Sequence, residues 1–548
     1  MRASVALPSA TSAGDAWARV ASFAVRRRWW FVGAAIVVQW AFLGWAVDAR
    51  INHNGWLFAD GDDGPWYWTT AWAQTSLHVP YTAIGAGWPY LLTPLAAIFG
   101  PNMADGLPAV IALNLLILGP LSVVCMYLVG DRLAGRLFGV WSALVWALLP
   151  TSALALYGTS HRTFLIDFFL PTGTGLNVLS DYPSMVCAIV CAYLVLRAVD
   201  SGRLEDGALA GIMLGFLVLM KPANGPLPIA AVILLGVTRR FRALIATVVA
   251  AIPAAIALSR WKELGHGSIP ALSGGGGGAG GAVSHNAHTY LNIDFHKLIV
   301  NAHELREVFW SLRMLEFILV AGSIALIART RWKGAFVVGW FLGFALVKGT
   351  APYAGVYDTS VYRFLLPAWP AWALIVAGVV FLWPGSRRTP LEIAPPRPVS
   401  RWVVGAVALV FMLGPLIVIV GDSPAKPGAI VDENYVGAPL PVVDFGVETT
   451  RVGPHTVRFT WNSKRTSHAA TAYAVFKDAT DGCTIIDPSH PLCRFRMTLI
   501  GVTLKRTFTD TQAVTPRYYR IGLVKGSDVQ VDNPSMLLMS KPVHVDPR

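Results

Sequence analysis

Residues 107–129 read LPAVIALNLLILGPLSVVCMYLV, an apolar run without a charged side chain. A helix needs roughly 20 apolar residues to cross the hydrocarbon core of a bilayer. The composition agrees, because hydrophobic residues make up 54% of the 548 residues and charged residues 14%, whereas soluble domains carry about 25% charged residues. The mean hydropathy is +0.53. The sequence therefore predicts a membrane protein with water-facing parts.

About eleven apolar runs of this kind predict a polytopic α-helical membrane protein. The fifth and sixth runs are short and could form one broken hairpin joined at Lys221-Pro222. The predicted spans are residues 29–47, 107–129, 137–157, 182–199, 208–220, 227–237, 243–258, 308–328, 335–347, 364–383 and 402–420.

Basic residues are concentrated in alternate short loops, which fixes an orientation because such loops stay in the cytoplasm. Examples are Arg132, Arg197, Lys333 and Arg397, and Arg26–Arg28 precede the first span. The predicted N-terminus is cytoplasmic and the C-terminus lies outside. No cleavage site of small residues follows the first run, so it is not read as a signal peptide. The net charge of +13 is largely this topology signal, and no nucleic-acid motif accompanies it.

The expected domains follow from these boundaries. Residues 1–28 form a disordered cytoplasmic tail, and residues 29–420 form the transmembrane domain. Its long outer loops are residues 48–106, 158–181 and 259–307. A linker at 421–438 leads to an extracytoplasmic β-sandwich at 439–548.

The first outer loop carries a short acidic cluster, Asp60, Asp62 and Asp63, just past the end of the first span. Carboxylates near lipid are costly and usually functional. Clustered carboxylates also suit Mg²⁺ or Ca²⁺, so Asp60 and Asp62 are the ligands if a divalent cation binds. The expectation is that no cofactor is required.

Aromatic residues follow the acidic cluster, among them Trp66, Tyr67 and Trp88. Tryptophan and tyrosine prefer the membrane interface, so these residues predict interfacial helices. They are read either as anchors that only fix depth in the membrane or as side chains that line a substrate site.

Basic residues on the outer side are scarcer. Lys221 lies at the tip of the fifth and sixth spans, His161 and Arg162 in the second outer loop, and Lys348 and Arg363 beside the loop before the tenth span. Each alone could be a snorkelling interface residue. Together, on the face that bears the aspartates, they could hold a phosphate.

The third outer loop contains a nearly all-glycine stretch at residues 273–281. Such a stretch is a flexible coil. It could belong to a lid over a site that must open for a large substrate, or to an inert surface loop.

The tail beyond residue 439 alternates apolar and polar residues between turns, which predicts a small antiparallel sandwich. It resembles a fibronectin type III module, with Trp461 on the second strand and Tyr519 at the tyrosine corner. Cys483 and Cys493 bracket a Pro-containing loop, and an oxidising exterior favours a disulfide between them.

Taken in order, five motifs resemble those of GT-C glycosyltransferases that use a polyprenyl-phosphate sugar. The branch they resemble contains protein O-mannosyltransferases and the bacterial lipid A aminoarabinose transferase. The motifs are DGPWY at 63–67, GWPYL at 87–91, LSDYP at 179–183, LMKP at 219–222 and YRFLLP at 362–367. The likeness covers roughly residues 29–385. Glycine replaces the glutamate that follows Asp63 in the family, and the lysine of the family's Lys-Pro-Pro-Leu segment is absent.

The resemblance implies a sugar transfer from a polyprenyl-phosphate donor to an extracytoplasmic glycan, lipid or protein by inverting displacement. Asp63 would be the base, and Lys221 and Arg363 would neutralise the departing phosphate, with His161 and Arg162 nearby. Asp181 would orient donor or acceptor. The Ala- and Arg-rich composition suggests a bacterium of high GC content, so the expected location is a bacterial plasma membrane.

Two other functions fit the composition. A transporter or flippase of a lipid-linked glycan would place its charges near mid-membrane on broken helices, whereas these spans hold few ionisable residues. A non-catalytic cell-envelope assembly protein that displays the tail would leave the outer aspartates and basic residues without a purpose.

Overall fold

The computed structural model describes residues 19, 21–49, 64–75, 77, 85–100, 103–158, 165–265, 294–309, 312–350, 354–357, 360–383, 393–421, 429–432, 439–462, 471–480, 483–487, 490–495, 497–525 and 536–546. Residues up to 421 are mostly helical, and those from 429 onward form β-strands.

The α-helices are numbered in chain order. They are α1 (Arg28–Ala49), α2 (Gly64–Gln74), α3 (Gly87–Phe99), α4 (Met103–Leu113), α5 (Gly119–Ala134), α6 (Arg136–Leu156), α7 (Leu170–Thr174), α8 (Asp181–Ser201), α9 (Leu204–Met220), α10 (Pro226–Val237), α11 (Phe241–Gly265), α12 (Phe295–Val308), α13 (Leu312–Thr330), α14 (Trp332–Lys348), α15 (Ser360–Leu365), α16 (Trp369–Gly378), α17 (Arg401–Ala408) and α18 (Gly414–Val420).

Seven helical stretches within the described residues are long and apolar enough to cross a membrane, and α3 and the stretch Pro222–Val237 are shorter apolar helices. A helix occupies each of the eleven predicted segments, but the count of eleven crossings stays a prediction. The seven stretches are Arg28–Ala46, Gly106–Ala134, Arg136–Leu156, Asp181–Ser201, Phe241–Trp261, Ser360–Leu382 and Arg401–Val420.

The eighth predicted span begins later than expected. The sequence predicts one helix over 308–328, but α12 ends at Val308 and α13 begins at Leu312. Phe309 is extended and pairs with Tyr157 as an isolated β-bridge. This contact between two outer loops ends the helix, and hydropathy alone does not encode it.

α8 is the most enclosed of the seven stretches, and it packs against α5 and α9. Small residues allow close packing of membrane helices. In α9, Gly207 and Gly211 face the backbone of α11, where an added Cβ would lie 2.4 Å from the Ala243 carbonyl oxygen and 2.1 Å from that of Thr247. Glycine at this four-residue spacing therefore sets the distance between α9 and α11.

The predicted cytoplasmic loops meet at the C-terminal end of α8. The Asp200 carboxylate accepts Lys333 Nζ at 2.6 Å and lies 3.7 Å from Arg132 Nη1. Arg197 donates to the backbone carbonyl of Arg397. Arg132, Arg197 and Lys333 lie near the ends of α5, α8 and α14, and Arg397 lies before α17, so these segments meet in one place. Their side of the membrane stays a prediction. Asp181 lies at the other end of the same helix, about 28 Å away at 1.5 Å per residue.

The aromatic helices of the first outer loop form as predicted but are buried in protein. Tyr67 and Trp68 of α2 and Trp88 of α3 are buried. Their depth in the molecule therefore comes from packing rather than from the headgroup layer. Buried side chains do not contact headgroups, so the anchor interpretation is wrong for Tyr67 and Trp88. The position of α2 and α3 at the membrane interface stays a prediction.

The C-terminal region forms two sheets in the described residues. One follows the order β6-β7-β1-β2-β11-β10-β5-β8, with β12 paired to β10, and the other is β3-β4-β9. The strands are β1 (Ala429–Asp432), β2 (Pro439–Val443), β3 (Glu448–Gly453), β4 (Thr456–Thr460), β5 (Thr471–Asp478), β6 (Cys483–Asp487), β7 (His490–Phe495), β8 (Thr498–Thr503), β9 (Thr507–Asp510), β10 (Arg517–Lys525), β11 (Met536–Ser540) and β12 (Val543–Val545).

The all-antiparallel expectation is wrong, because β1 pairs with β7 and β11 pairs with β2 in parallel. The alternation of apolar and polar residues indicates strands but does not fix the direction of their partners. β1 also begins at Ala429, inside the predicted linker.

The position of Trp461 and the hydrogen bond of Tyr519 differ from those expected in a fibronectin type III module. Trp461 is buried but follows β4 rather than lying within it. The Tyr519 hydroxyl donates to the Asp510 side chain at 2.7 Å, whereas a tyrosine corner bonds to backbone. The fibronectin-like assignment stays a prediction.

The predicted disulfide also stays a prediction. Cys483 and Cys493 lie on the neighbouring antiparallel strands β6 and β7, opposite Phe495 and Ile485 respectively. Their side chains lie outside the described part of the chain.

Candidate active site

A buried carboxylate at the N-terminal end of α8 organises the candidate site. The Asp181 side chain is 0% exposed, and each of its two oxygens accepts one basic side chain. Lys221 Nζ donates to Oδ1, and Arg363 Nε donates to Oδ2 at 3.0 Å. Three residues that the sequence analysis selected separately, from segments far apart in the chain, are therefore in direct contact.

A third cation lies beside this pair. Lys348, the last residue of α14, is 3% exposed, and its Nζ lies 5.9 Å from the centroid of the Phe364 ring. Lys221 Nζ lies 5.8 Å from the same ring. Lysines over an aromatic face are held by cation–π attraction. The described side chains of this cluster carry three formal positive charges and one negative charge.

The Lys221 turn is fixed by close backbone packing. α9 ends at Met220, and the chain continues through a 3₁₀ turn at Pro222–Asn224 into α10, as the predicted broken hairpin requires. Asn224 Nδ2 donates to the Leu217 carbonyl at 3.1 Å. At Gly87 an added Cβ would lie 2.7 Å from the Met220 nitrogen. The glycine before Trp88 thus lets α3 press on the end of α9, next to Lys221.

The segment that leads into Asp181 is held by hydrogen bonds from three other elements. Asn114 Nδ2 donates to the Gly175 carbonyl at 2.9 Å, and Trp88 Nε1 donates to the Val178 carbonyl at 2.6 Å. The Tyr67 hydroxyl and Ser180 Oγ are 2.7 Å apart. Trp88 is fully buried, and its hydrogen bond holds the loop that leads into Asp181.

Asn114 lies in a π-helical turn, Asn114–Leu118, inside the apolar run of residues 107–129. π-turns interrupt α-helices most often at functional sites. Here the turn brings a polar side chain to the loop before Asp181. Its Oδ1 is buried without a partner among the described residues.

Arg363 is supported from the other side by an aromatic cluster. Tyr362 packs against Tyr157, Phe169 and Phe309, with ring centroids 6.2, 5.6 and 6.3 Å away. The hydroxyls of Tyr157 and Tyr362 are 3.3 Å apart. These rings join two outer loops to α15 and leave Arg363, the next residue, directed to Asp181.

Several predicted site residues lie outside the described part of the chain. These are Asp60, Asp62, Asp63, His161 and Arg162, and the side chain of Trp66 is likewise outside it. Their proximity to Asp181 stays a prediction. Within the described residues, no group of three or more His, Cys, Asp or Glu side chains could hold a metal ion.

Sequence reasoning missed three contributors to this site. It placed Lys348 among the outer basic residues that could hold a phosphate but not among the proposed ligands, and it gave no role to Ser180 of the LSDYP motif or to Asn114. A signal existed for Asn114, because an amide within an apolar membrane run is costly and usually has a partner. Ser180 carried no signal beyond its place before Asp181.

The described part of the chain is mostly helical, with seven helical stretches long and apolar enough to cross a membrane and a β-sheet region at the C-terminal end. These features are those of a multi-pass membrane protein. Its candidate site is an Asp-centred cluster of cations at one end of an enclosed helix. No protein-family model matches the sequence, and no curated protein matches it.

Solved structures similar to this chain include three of the oligosaccharyltransferase from Archaeoglobus fulgidus. The apo form is 15% identical, with a TM-score of 0.34, and the match covers 71% of this chain and 55% of that chain. The complex with Zn and sulfate is 14% identical, with a TM-score of 0.38 and coverages of 71% and 52%. The form tethered to an acceptor peptide with the NVT sequon is 13% identical, with a TM-score of 0.39 and coverages of 72% and 55%.

The match therefore spans about half of the length of those structures. With TM-scores of 0.34 to 0.39, these similarities do not identify the function of this chain.

Proposed function

We propose that this protein is an integral-membrane glycosyltransferase of the GT-C kind. It transfers a sugar from a polyprenyl-phosphate donor to an acceptor on the outer side of a bacterial plasma membrane. The observation that carries the proposal is a cluster of three cations. Lys221 and Arg363 both bind the carboxylate of Asp181, and Lys221 and Lys348 both lie near the ring of Phe364.

The three cations would stabilise the phosphate of the donor as it departs. Transfer from a lipid phosphate leaves negative charge on the departing group, and fixed positive charges in a site of low dielectric constant stabilise it. Arginine adds directional hydrogen bonds, and lysine adds a compact charge. Asp181 holds two of these cations in place before the donor binds, so little reorganisation is needed when the phosphate leaves.

Asp63 is the proposed base. It takes the proton of an acceptor hydroxyl while that oxygen attacks the anomeric carbon of the sugar. The new C–O bond forms as the bond from carbon to phosphate oxygen breaks, and the electron pair leaves with the phosphate. Attack opposite the leaving group inverts the anomeric centre.

The helix that follows Asp63 in the sequence supports this assignment. α2 begins at Gly64, and in its first turn Tyr67 bonds to Ser180, the neighbour of Asp181. One helical turn rises about 5.4 Å. The start of α2 is therefore tethered within a short distance of the cation cluster.

The two ends of α8 support the proposed orientation. The loops rich in arginine meet around Asp200, and the candidate site lies at Asp181. If the arginine-rich end is cytoplasmic, the site faces the outer side and the β-sheet region is exported. We propose scaffolding or glycan binding for that region.

The position of the charges favours transfer over transport. A transport site is expected near mid-membrane on broken helices. Asp181 is the first residue of its helix, Lys348 is the last residue of α14, and Lys221 directly follows α9. These charges lie at helix ends, where a lipid-linked headgroup meets water.

The test is transfer of radiolabelled sugar from polyprenyl-phosphate mannose, arabinose or galactose by the purified protein in vesicles. We expect transfer from one of these donors to lipid, polysaccharide or protein acceptors, and we expect Asp63→Asn to abolish it without lowering expression or insertion. Near-normal transfer by Asp63→Asn would show that Asp63 is not the base. Movement of an intact lipid-linked glycan across the membrane, without transfer, would establish the flippase instead.

A further inference from the structure

We infer that Asn301 is a positioning residue for the donor phosphate, acting through the end of α14. The inference rests on the proposed function, because it takes Lys348 as a phosphate ligand. Asn301 lies in α12, at the end of the third outer loop, and the sequence analysis did not select it.

The contact is specific. Asn301 is buried, and its Nδ2 donates to the carbonyl of Gly349 at 2.6 Å. Gly349 directly follows Lys348. The last carbonyls of a helix have no partner within the helix and need one from outside. Asn301 provides it at the residue next to a buried cation.

Other hydrogen bonds also satisfy carbonyl groups at this end of α14. The Gly349 nitrogen donates to the Ala345 carbonyl at 3.0 Å, and Thr350 Oγ1 donates to the Leu346 carbonyl at 2.6 Å. An added Cβ at Gly349 would lie 2.5 Å from the Ala345 oxygen. A side chain at Gly349 would therefore clash with the end of the helix that carries Lys348.

α12 is itself fastened at its C-terminal end to other outer segments. The Gly158 nitrogen donates to the Val308 carbonyl at 2.6 Å, and the Tyr357 hydroxyl donates to Glu307. Its opposite face is open, since Ile299 is 67% exposed. Asn301 thus connects α12 to the end of α14, which carries Lys348.

The structure also explains why an amide is needed. The Gly349 oxygen requires a donor, and Asn301 Oδ1 is buried without a hydrogen-bond partner among the described residues. A leucine has a similar size but no hydrogen-bond donor. Asn301→Leu therefore removes the bond, nearly keeps the volume of the side chain and adds no charge.

The experiment measures binding of undecaprenyl phosphate, and of the uncharged alcohol undecaprenol, to the full-length protein in nanodiscs. We expect Asn301→Ala and Asn301→Leu to weaken phosphate binding about tenfold, the size of one lost charge-assisted contact, and to leave alcohol binding within about twofold. Ile299→Ala on the open face of the same helix is the control and should change neither.

A second arm separates positioning from general damage. If Asn301 acts through Lys348, then Asn301→Ala adds less than about twofold to the loss caused by Lys348→Met. Three results would overturn the inference while the proposed function stands. The losses of affinity in Asn301→Ala and Lys348→Met could multiply in the double variant, phosphate and alcohol binding could weaken equally, or both Asn301 variants could bind like the wild type. Failure of the wild-type protein to bind the phosphate would instead overturn the proposed function, and the inference with it.

Discussion

Lys221 is the cation whose removal tests the proposed phosphate site most directly. Its Nζ bonds to Asp181 and lies over Phe364. Lys221→Ala deletes this charge and leaves Asp181 with its contact to Arg363 at 3.0 Å. The carboxylate keeps one partner, so the variant is expected to fold.

The expected loss follows from the burial of the site. The Lys221 side chain is 20% exposed, so solvent screens its charge less than that of a surface lysine. A hydrogen bond to a charged group contributes about 1.5–3 kcal/mol. At about 1.36 kcal/mol per factor of ten, kcat/KM for the donor should fall roughly 10- to 150-fold. The assay is sugar transfer by purified protein in vesicles, with the donor varied at saturating acceptor.

Lys333 provides a matched control. It is also a lysine paired with an aspartate, it is 14% exposed, and it lies at the opposite end of α8. Lys333→Ala should lower thermal stability but leave kcat/KM of the folded protein within about twofold. A donor kcat/KM for Lys221→Ala within that range of wild type, or an equal loss in both variants, would refute the phosphate role.

Three further predictions concern other parts of the chain. Gly87→Ala should raise the donor KM because its Cβ would meet Met220 at 2.7 Å, whereas Gly44→Ala, with open space around it, should not; steady-state kinetics of both variants checks this. Burial favours a higher pKa for Asp510, but hydrogen bonds from Lys477, the Gln512 nitrogen and Tyr519 outweigh it and lower the pKa. The resulting stability should be complete above about pH 5 and lost as pH falls through the lowered pKa, and thermal unfolding of Asp510→Asn should show less of this acid dependence. Transfer should survive EDTA, because lysine and arginine supply the charge for the phosphate; loss that Mg²⁺ restores would assign a cation to the acidic cluster of the first outer loop.

The helical membrane architecture was predictable because its signal is local. A run of apolar residues such as 107–129 must satisfy its backbone internally, and a helix is the simplest way to do so. The grouping of Asp181, Lys221 and Arg363 was predictable for a related reason. Each is an ionisable residue at the end of an apolar segment on the predicted outer side, and such residues find partners.

The support around the cluster was not predictable, because it depends on contacts between distant segments. Tyr67 and Trp88 have the composition of interfacial anchors, but both hydrogen-bond to the loop before Asp181. Nothing in the sequence near Asn301 indicates that it reaches Gly349. The parallel pairs of the C-terminal sheet were missed for the same reason, since strand direction is a property of the partners.

The two ends of α8 show how similar ion pairs can serve different purposes. Near the C-terminal end, Asp200 bonds to Lys333, which also donates to the Arg132 carbonyl, and Arg132 donates to the Ala394 carbonyl. Those contacts tie loops together and have a structural role.

At the N-terminal end, Lys221 and Arg363 bond to one carboxylate, and Lys348 lies near the same aromatic ring as Lys221. The three cations outnumber the one carboxylate, and repulsion among like charges is unfavourable. A bound phosphate would offset that cost, because it interacts favourably with all three cations at once. Donor binding should therefore stabilise the folded protein, and a rise in the unfolding temperature on addition of a polyprenyl phosphate, reduced in Lys221→Ala but not in Lys333→Ala, would demonstrate it.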